Sequence, residues 1–137
     1  MNYLLDSSSL LFLIRSTNDE RKMSVIKEAK VLDLTYYEIG NAVWKESSPS
    51  KSLSGANLEK VVEAVNYCFT NMESISLAPV DLAGILEIAR KEKLTFYNSS
   101  YLYATKKNNL TLVTEDEKLA RASKKYTRTR NVLSLKA

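Results

Sequence analysis

Four polar positions carry the chemistry this chain can offer, each set behind a short apolar run or on a helical stripe. Asp6 closes Tyr3-Leu4-Leu5-Asp6-Ser7-Ser8, and Glu38 lies in Tyr36-Tyr37-Glu38-Ile39-Gly40. Asn98 follows Leu94-Thr95-Phe96-Tyr97, and Asp116 follows Leu112-Val113-Thr114-Glu115. Brought together, these side chains make an oxygen-rich pocket suited to a hard cation, Mg²⁺ or Mn²⁺ rather than zinc. Like charges ~4 Å apart repel by roughly 4 kcal/mol at an effective dielectric of 20, so converging acids call for a counter-cation. A cation held there polarises a phosphodiester and acidifies water, which is the chemistry of metal-dependent hydrolysis.

What the sequence lacks narrows the choice. There is no histidine, which removes Ser-His-Asp and Cys-His catalysis and any histidine-ligated metal. The glycines Gly40, Gly55 and Gly84 are too scattered for a phosphate-binding loop or a dinucleotide fingerprint. A single cysteine, Cys68, forbids an internal disulfide and sits on an apolar stripe, where it reads as packing. No apolar run approaches the ~20 residues that span a bilayer, and Asp6 with Ser7 to Ser9 interrupts the place of a signal peptide. A cytoplasmic protein is the expectation. At 137 residues the chain reads as one domain, 1–137, with room for one sizeable core.

Net charge is +4, from 20 Lys and Arg against 16 Asp and Glu. Its distribution is uneven: Lys118, Arg121, Lys124, Lys125, Arg128, Arg130 and Lys136 follow Glu117 with no acid among them. Such a run fits a polyanion such as nucleic acid, and it fits a solvated basic surface equally well. Lys106, Lys107, Arg121, Lys124 and Lys125 are the weaker candidates for phosphate contacts.

The positioning elements follow from periodicity. Asn2 to Leu5 reads as a strand, then a helix passes through Leu10 to Ile14. Asp19 to Lys30 is a helix, Val31 to Leu34 a strand, and Thr35 to Glu46 a helix. Ser47 to Ser52 is a loop. Ser54 to Met72 is the clearest helix, with Leu58, Val61, Val62, Val65, Cys68, Phe69 and Met72 on one stripe. Ile75 to Leu77 is a strand, and a helix follows Pro79 through Leu82 and Ala89. Ser99 to Lys107 is helical, Thr111 to Val113 a strand, Glu115 to Lys124 a helix, and Asn131 to Leu133 a last strand. Strands alternating with helices predict a parallel sheet covered on both faces, whose sites lie beyond the strands' carboxyl ends. Asp6 and Asp116 both stand where a strand runs out.

Each position also has a structural reading. Asp6, Asn98 and Asp116 all suit helix N-caps, and Glu38 suits an exposed helix acid. Tyr36, Tyr37, Trp44, Tyr97, Tyr101 and Tyr103 can stack on unpaired bases, yet most of them read as core or subunit-interface groups.

Taken in order and spacing, four segments over nearly the whole chain resemble the PIN-domain family, in its VapC-type toxin ribonucleases. They are the opening strand with Asp6 and Ser8, Leu34 to Lys45 around Glu38, Phe96 to Ala104, and Thr114-Glu115-Asp116. The resemblance implies a three-layer α/β/α fold with a five-stranded parallel sheet and Mg²⁺- or Mn²⁺-dependent cleavage of RNA by an endoribonuclease. It implies Asp6, Glu38 and Asp116 as metal-site acids, Asn98 completing the catalytic shell, and Ser8 and Thr114 as supporting hydroxyls. The implied partners are RNA, a small antitoxin and a second copy in a homodimer or higher oligomer, with no membrane. Asn98 departs from the family's usual Asp. That leaves open a slowed nuclease, a catalytically degenerate RNA-binding or regulatory protein, and an engineered substitution.

Overall fold

The chain forms five strands and seven helices in a computed structural model that describes residues 2–16, 18–48, 53 and 55–135. Element order is β1 (Tyr3–Leu5), α1 (Ser7–Ser16), α2 (Asp19–Glu28), β2 (Ala29–Leu32), α3 (Asp33–Glu46), α4 (Gly55–Asn71) and β3 (Glu73–Ile75). A 3-10 turn (Pro79–Asp81), α5 (Leu82–Glu92), α6 (Phe96–Lys107), β4 (Thr111–Val113), α7 (Glu117–Ser123), β5 (Thr129–Arg130) and a second 3-10 turn (Val132–Ser134) follow. All pairings are parallel, in the order β3-β2-β1-β4-β5.

The period-2 geometry of the strands sorts their side chains into two cores. Tyr3, Leu5, Val31 and Val113 face a cluster with Leu10, Leu13, Val25, Ile39 and Cys68 of α1 to α4. Leu4, Leu32 and Leu112 face the other side, against Ile88, Tyr101, Leu102 and Leu119 of α5 to α7. These are the three α/β/α layers. From β1 the sheet grows outwards to β2 and β3, and the chain then returns to the other flank of β1 as β4. The β1–β4 seam is therefore the switch point, where crevices open at the carboxyl ends of strands.

Several boundaries differ from the sequence reading, each for a local reason. The second strand ends at Leu32 rather than Leu34, because the Thr35 hydroxyl accepts the Leu32 N–H at 3.1 Å and turns the chain into α3. The third strand lies at Glu73–Ile75, two residues before the apolar run at Ile75 to Leu77, as a half-exposed edge. The last strand is Thr129–Arg130; Asn131 Oδ1 accepts the Ser134 N–H at 2.9 Å, which curls the following residues into a 3-10 turn. Ser54, Lys136 and the loop positions 49–52 lie outside the described residues.

Four of the aromatic side chains read from the sequence lie outside the core of the single chain. Tyr36, Tyr37, Trp44 and Tyr97 are exposed, and Tyr101 is buried. Among the described residues no helix is long and apolar enough to cross a membrane.

Candidate active site

β1 delivers Asp6 at its carboxyl end, 3% exposed. Its Oδ1 accepts the Ser8 hydroxyl at 2.7 Å and the Ser9 N–H at 2.9 Å, so Asp6 caps α1 while pointing beyond the sheet. Its Oδ2 accepts the hydroxyl of Thr114, the residue after β4. Burial pushes this carboxyl above its ordinary range, and the hydrogen bonds, Thr114's first, pull it partway back.

The same two hydroxyls fix the neighbouring loop. Ser8 Oγ accepts the Glu115 N–H at 3.0 Å, and Thr114 Oγ1 accepts the Asp116 N–H at 3.0 Å. Asp116 Oδ1 then accepts the Leu119 N–H at 2.9 Å, capping α7. Ser8 and Thr114 thus tie Asp6 to the backbone that carries Asp116.

Glu38 reaches the site from the side of α3. Its Oε1 accepts the Tyr101 hydroxyl of α6 at 2.6 Å. The Thr35 hydroxyl lies 2.8 Å from the same phenol oxygen and accepts the Leu32 N–H. Because the phenol gives its proton to Glu38, Thr35 must donate to the phenol. The relay from Leu32 N–H through Thr35 and Tyr101 therefore runs in one direction, with each bond polarising the next toward the carboxylate. Burial pushes the Glu38 carboxyl up, hydrogen bonds from Tyr101 and Ser7 lower it, and the negative charge of Asp6 raises it again. Burial and the bond to Glu38 likewise push the Tyr101 phenol up. Glu38 thus lies within electrostatic reach of Asp6.

Asn98 is not the cap that its type suggests. Thr95 caps α6, with its Oγ1 accepting the Asn98 N–H at 3.0 Å. Since α6 returns the chain to the start of β4, its first turn lies by the strands' carboxyl ends. Asn98 stands one turn before Tyr101 on the same helix face. Among the described residues its side-chain amide has no hydrogen-bond partner, which leaves it uncommitted.

The five candidate phosphate-binding cations separate. Lys107 is bound to buried Asp81 at 2.7 Å and Lys125 to Glu92 at 2.8 Å. Lys106 lies over the Tyr126 ring, 5.6 Å from its centroid. Lys106 and Lys107 end α6, away from its site-facing first turn. Arg121 is exposed on α7. Lys124 lines a groove of about 430 Å³ whose wall includes Thr114 and Asp116. Tyr101, Thr35 and Ser7 were not singled out as site residues from the sequence; a tyrosine centred in a buried stripe, needing a partner for its hydroxyl, was the available signal.

No three His, Cys, Asp or Glu side chains form a metal-holding set among the described residues. What the structure gathers is the Asp6–Glu38 pair, with Asp116 held beside Asp6 through Thr114. Among the described residues none of the three has an ion-pair partner, and hydroxyls and N–H groups satisfy only part of their acceptor capacity. Mg²⁺ commonly takes one or two carboxylates and completes its shell with water and phosphate oxygens, so this donor set fits it.

Fold and site define a class: a parallel α/β/α protein with hydroxyl-supported carboxylates at its switch point. The sequence matches no protein-family model. It is 32% identical over 127 residues to Exonuclease VapC9 of Pyrobaculum aerophilum, covering 90% of this chain and 87% of that protein. It is 29% identical over 124 residues to Ribonuclease VapC3 of the same organism, covering 88% and 93%. Among solved structures, PAE2754 from Pyrobaculum aerophilum superposes with a TM-score of 0.79 at 27% identity, over 98% of this chain and 85% of that one. FitAB bound to a DNA fragment shares the fold alone, with a TM-score of 0.68 at 15% identity over 98% of each chain. The chain belongs to the PIN-domain family, among its VapC-type toxin nucleases.

Proposed function

We propose that this chain is the toxin of a toxin–antitoxin pair, a metal-dependent endoribonuclease acting at Asp6, Glu38 and Asp116. One arrangement supports the reading: Ser8 and Thr114 tie Asp6, at the end of β1, to the loop that carries Asp116, and Glu38, held by Tyr101, lies near enough to feel the charge of Asp6. Such a pair is unfavourable when ionised and unliganded, and a divalent ion relieves it. Asp6, Glu38 and Asp116 would hold Mg²⁺ or Mn²⁺, which would supply Lewis-acid charge to a phosphodiester. The chain's own residues do the positioning. Ser8 and Thr114 orient Asp6, Tyr101 and Ser7 orient Glu38, and the Leu119 N–H orients Asp116. Asn98 offers a neutral carbonyl oxygen from the first turn of α6. It cannot act as a base, so it weakens the ion's hold and slows the reaction.

Relatives named exonuclease and ribonuclease support nucleic-acid hydrolysis, and the endonucleolytic mode is tested directly. Circular RNA incubated with Mn²⁺ should be opened, and Asp6→Ala or a chelator should abolish the cut. Degradation of linear RNA alone would make the chain an exonuclease. RNA binding without any cleavage would favour the degenerate reading that the amide at Asn98 raises. The exposed Tyr36, Tyr37 and Trp44 of α3 are the surface offered to an antitoxin or a second copy. Light scattering of the chain alone should report a homodimer if that surface serves self-association.

A further inference from the structure

Ser9 carries a hydroxyl that helix formation does not account for. It lies in the first turn of α1, fully buried, where alanine would serve the helix at least as well. Its N–H goes to Asp6 Oδ1, the capping bond already described. A buried serine in a helix ordinarily turns its hydroxyl back to a carbonyl of the preceding turn, and Asp6 O lies 3.1 Å away for that purpose. The nearer acceptor is on another strand: Val113 O, the last carbonyl of β4, at 2.7 Å. With one hydrogen to give, Ser9 commits it across the β1–β4 seam.

That carbonyl belongs to the peptide from which Thr114 projects. Its oxygen also accepts the Asp6 N–H, at 3.2 Å, and the peptide's own N–H donates to Arg130 O at 3.0 Å. The peptide plane is therefore held from both flanks, by β1 and α1 on one side and by β5 on the other. Rotation of this peptide would swing the Thr114 side chain, which donates to Asp6 Oδ2 and accepts the Asp116 N–H. A small turn here is passed on to both acids, because they share the Thr114 hydroxyl. Without the Ser9 hydroxyl, only the longer bond from the Asp6 N–H holds the Val113 oxygen.

Resting on the nuclease reading, we infer that Ser9 is a positioning residue of the acid site: its hydroxyl fixes the Val113–Thr114 peptide and thereby the placing of Asp6 against Asp116. The test is calorimetric titration of the full chain with Mn²⁺, beside metal-free thermal unfolding. Ser9→Ala should weaken Mn²⁺ binding about tenfold, as loss of an outer-shell partner does. Ser9→Cys, which nearly keeps the volume but offers only a weak S–H donor, should fall between that and the parent. Ser123→Ala is the matched control. The buried Ser123 hydroxyl also meets its own helix, at Ala120 O, and a neighbouring strand, at Thr129 Oγ1, but at the far end of α7 from Asp116. Both alanine variants should lower Tm by about 4 °C, the effect of one buried hydrogen bond in a chain of this size. Only Ser9→Ala should lose Mn²⁺ affinity. In a Thr114→Val background Ser9→Ala should weaken Mn²⁺ binding no further, because the hydroxyl it acts through is already gone. Should Ser9→Ala not fold, Ser9→Cys decides by the same comparisons. Parental affinity at position 9, or equal losses from positions 9 and 123, would make the Ser9 hydroxyl a stabiliser of the fold alone and overturn the inference while leaving the nuclease reading intact. An additive loss on Thr114→Val would refute the route through Thr114. A parent that binds no Mn²⁺ would overturn the metal reading together with the inference.

Discussion

Replacing Tyr101 by Phe removes one oxygen and breaks a relay that spans β2, α3 and α6. The phenol is buried, 1% exposed, and its hydroxyl donates to Glu38 at 2.6 Å while receiving the Thr35 hydroxyl at 2.8 Å. Phenylalanine fills the same space, so the loss is almost purely of hydrogen bonds. Thr35 is fully buried, and its hydroxyl would have no acceptor, a penalty of about 1–3 kcal/mol. The charged bond to Glu38 adds ~1.5 kcal/mol at most, because this half-exposed carboxylate regains water. A total of ~1–4 kcal/mol lowers Tm on the order of 10 °C in a chain of this size. Two further effects belong to the site. Glu38 loses a bond that lowers its pKa, so its carboxyl rises further, and it loses its fixed orientation. Removal of such an outer-shell partner typically weakens metal binding 10–100-fold. Calorimetric Mn²⁺ titration and thermal unfolding should therefore both respond. Tyr103→Phe is the matched control: its hydroxyl donates to Asp81 at 2.7 Å, so it should lower Tm and leave Mn²⁺ affinity unchanged. If Tyr101→Phe behaves like Tyr103→Phe, the relay is structural and does not position Glu38.

Three other outcomes follow from the same structure. Asn98→Asp should raise Mn²⁺ affinity and RNA cleavage; no gain in either, with folding intact, refutes a role for that position in the site. Gly84→Ala should lower Tm, although Ala is ordinarily the better helix residue by ~1 kcal/mol, because the new Cβ would lie 2.5 Å from Tyr103 Cε2. Overpacking of ~1–3 kcal/mol outweighs propensity there, and in a Tyr103→Ala background the sign should reverse. The pH dependence should itself reverse with metal. Asp6 and Glu38 have raised pKa values, so the folded state keeps protons that the unfolded chain has lost, and metal-free stability falls as pH rises through those values. Asp81, held down to about 2 first by Lys107, contributes in the opposite sense, and that contribution disappears only as pH falls below ~3.9 toward 2. Above the range in which Asp81 titrates, the two site acids should therefore dominate. Tm without metal should decline there, while the increment from saturating Mn²⁺ should grow. Parallel curves with and without Mn²⁺ would show that the ion does not bind at these carboxylates.

Much of this was readable in the chain because strand ends announce themselves. Asp6 and Thr114 each follow a short, wholly apolar run, and parallel sheets put such positions at one edge. Long-range partners were not readable. Tyr101 and Glu38 are separated by 63 positions, and nothing local says that a tyrosine in a buried stripe will meet an acid. The cations failed for a related reason: Lys107 and Lys125 look free in sequence, but Asp81 and Glu92, 26 and 33 positions away, already hold them. Arg130 stood in the basic run after Glu117 but was not among the phosphate-contact candidates. The turn held by Asn131 moves the last strand back and puts Arg130 on the groove beside Asp116.

At Asp6 and Asp116 the capping and the chemical readings need not be rivals. At the carboxyl edge of a parallel sheet the chain passes directly from strand into helix, so one carboxylate oxygen can cap the helix while the other remains available. Asp6 caps with Oδ1 while its Oδ2 takes only the Thr114 hydroxyl, and Asp116 uses only Oδ1 as a cap. Glu38 sits within α3 and has no capping duty, which is why a relay through Thr35 and Tyr101 is needed to hold it. Asn98 has neither support nor duty, because Thr95 caps its helix. Exchange of a charged for a neutral side chain at 98 therefore leaves the fold's hydrogen bonds intact.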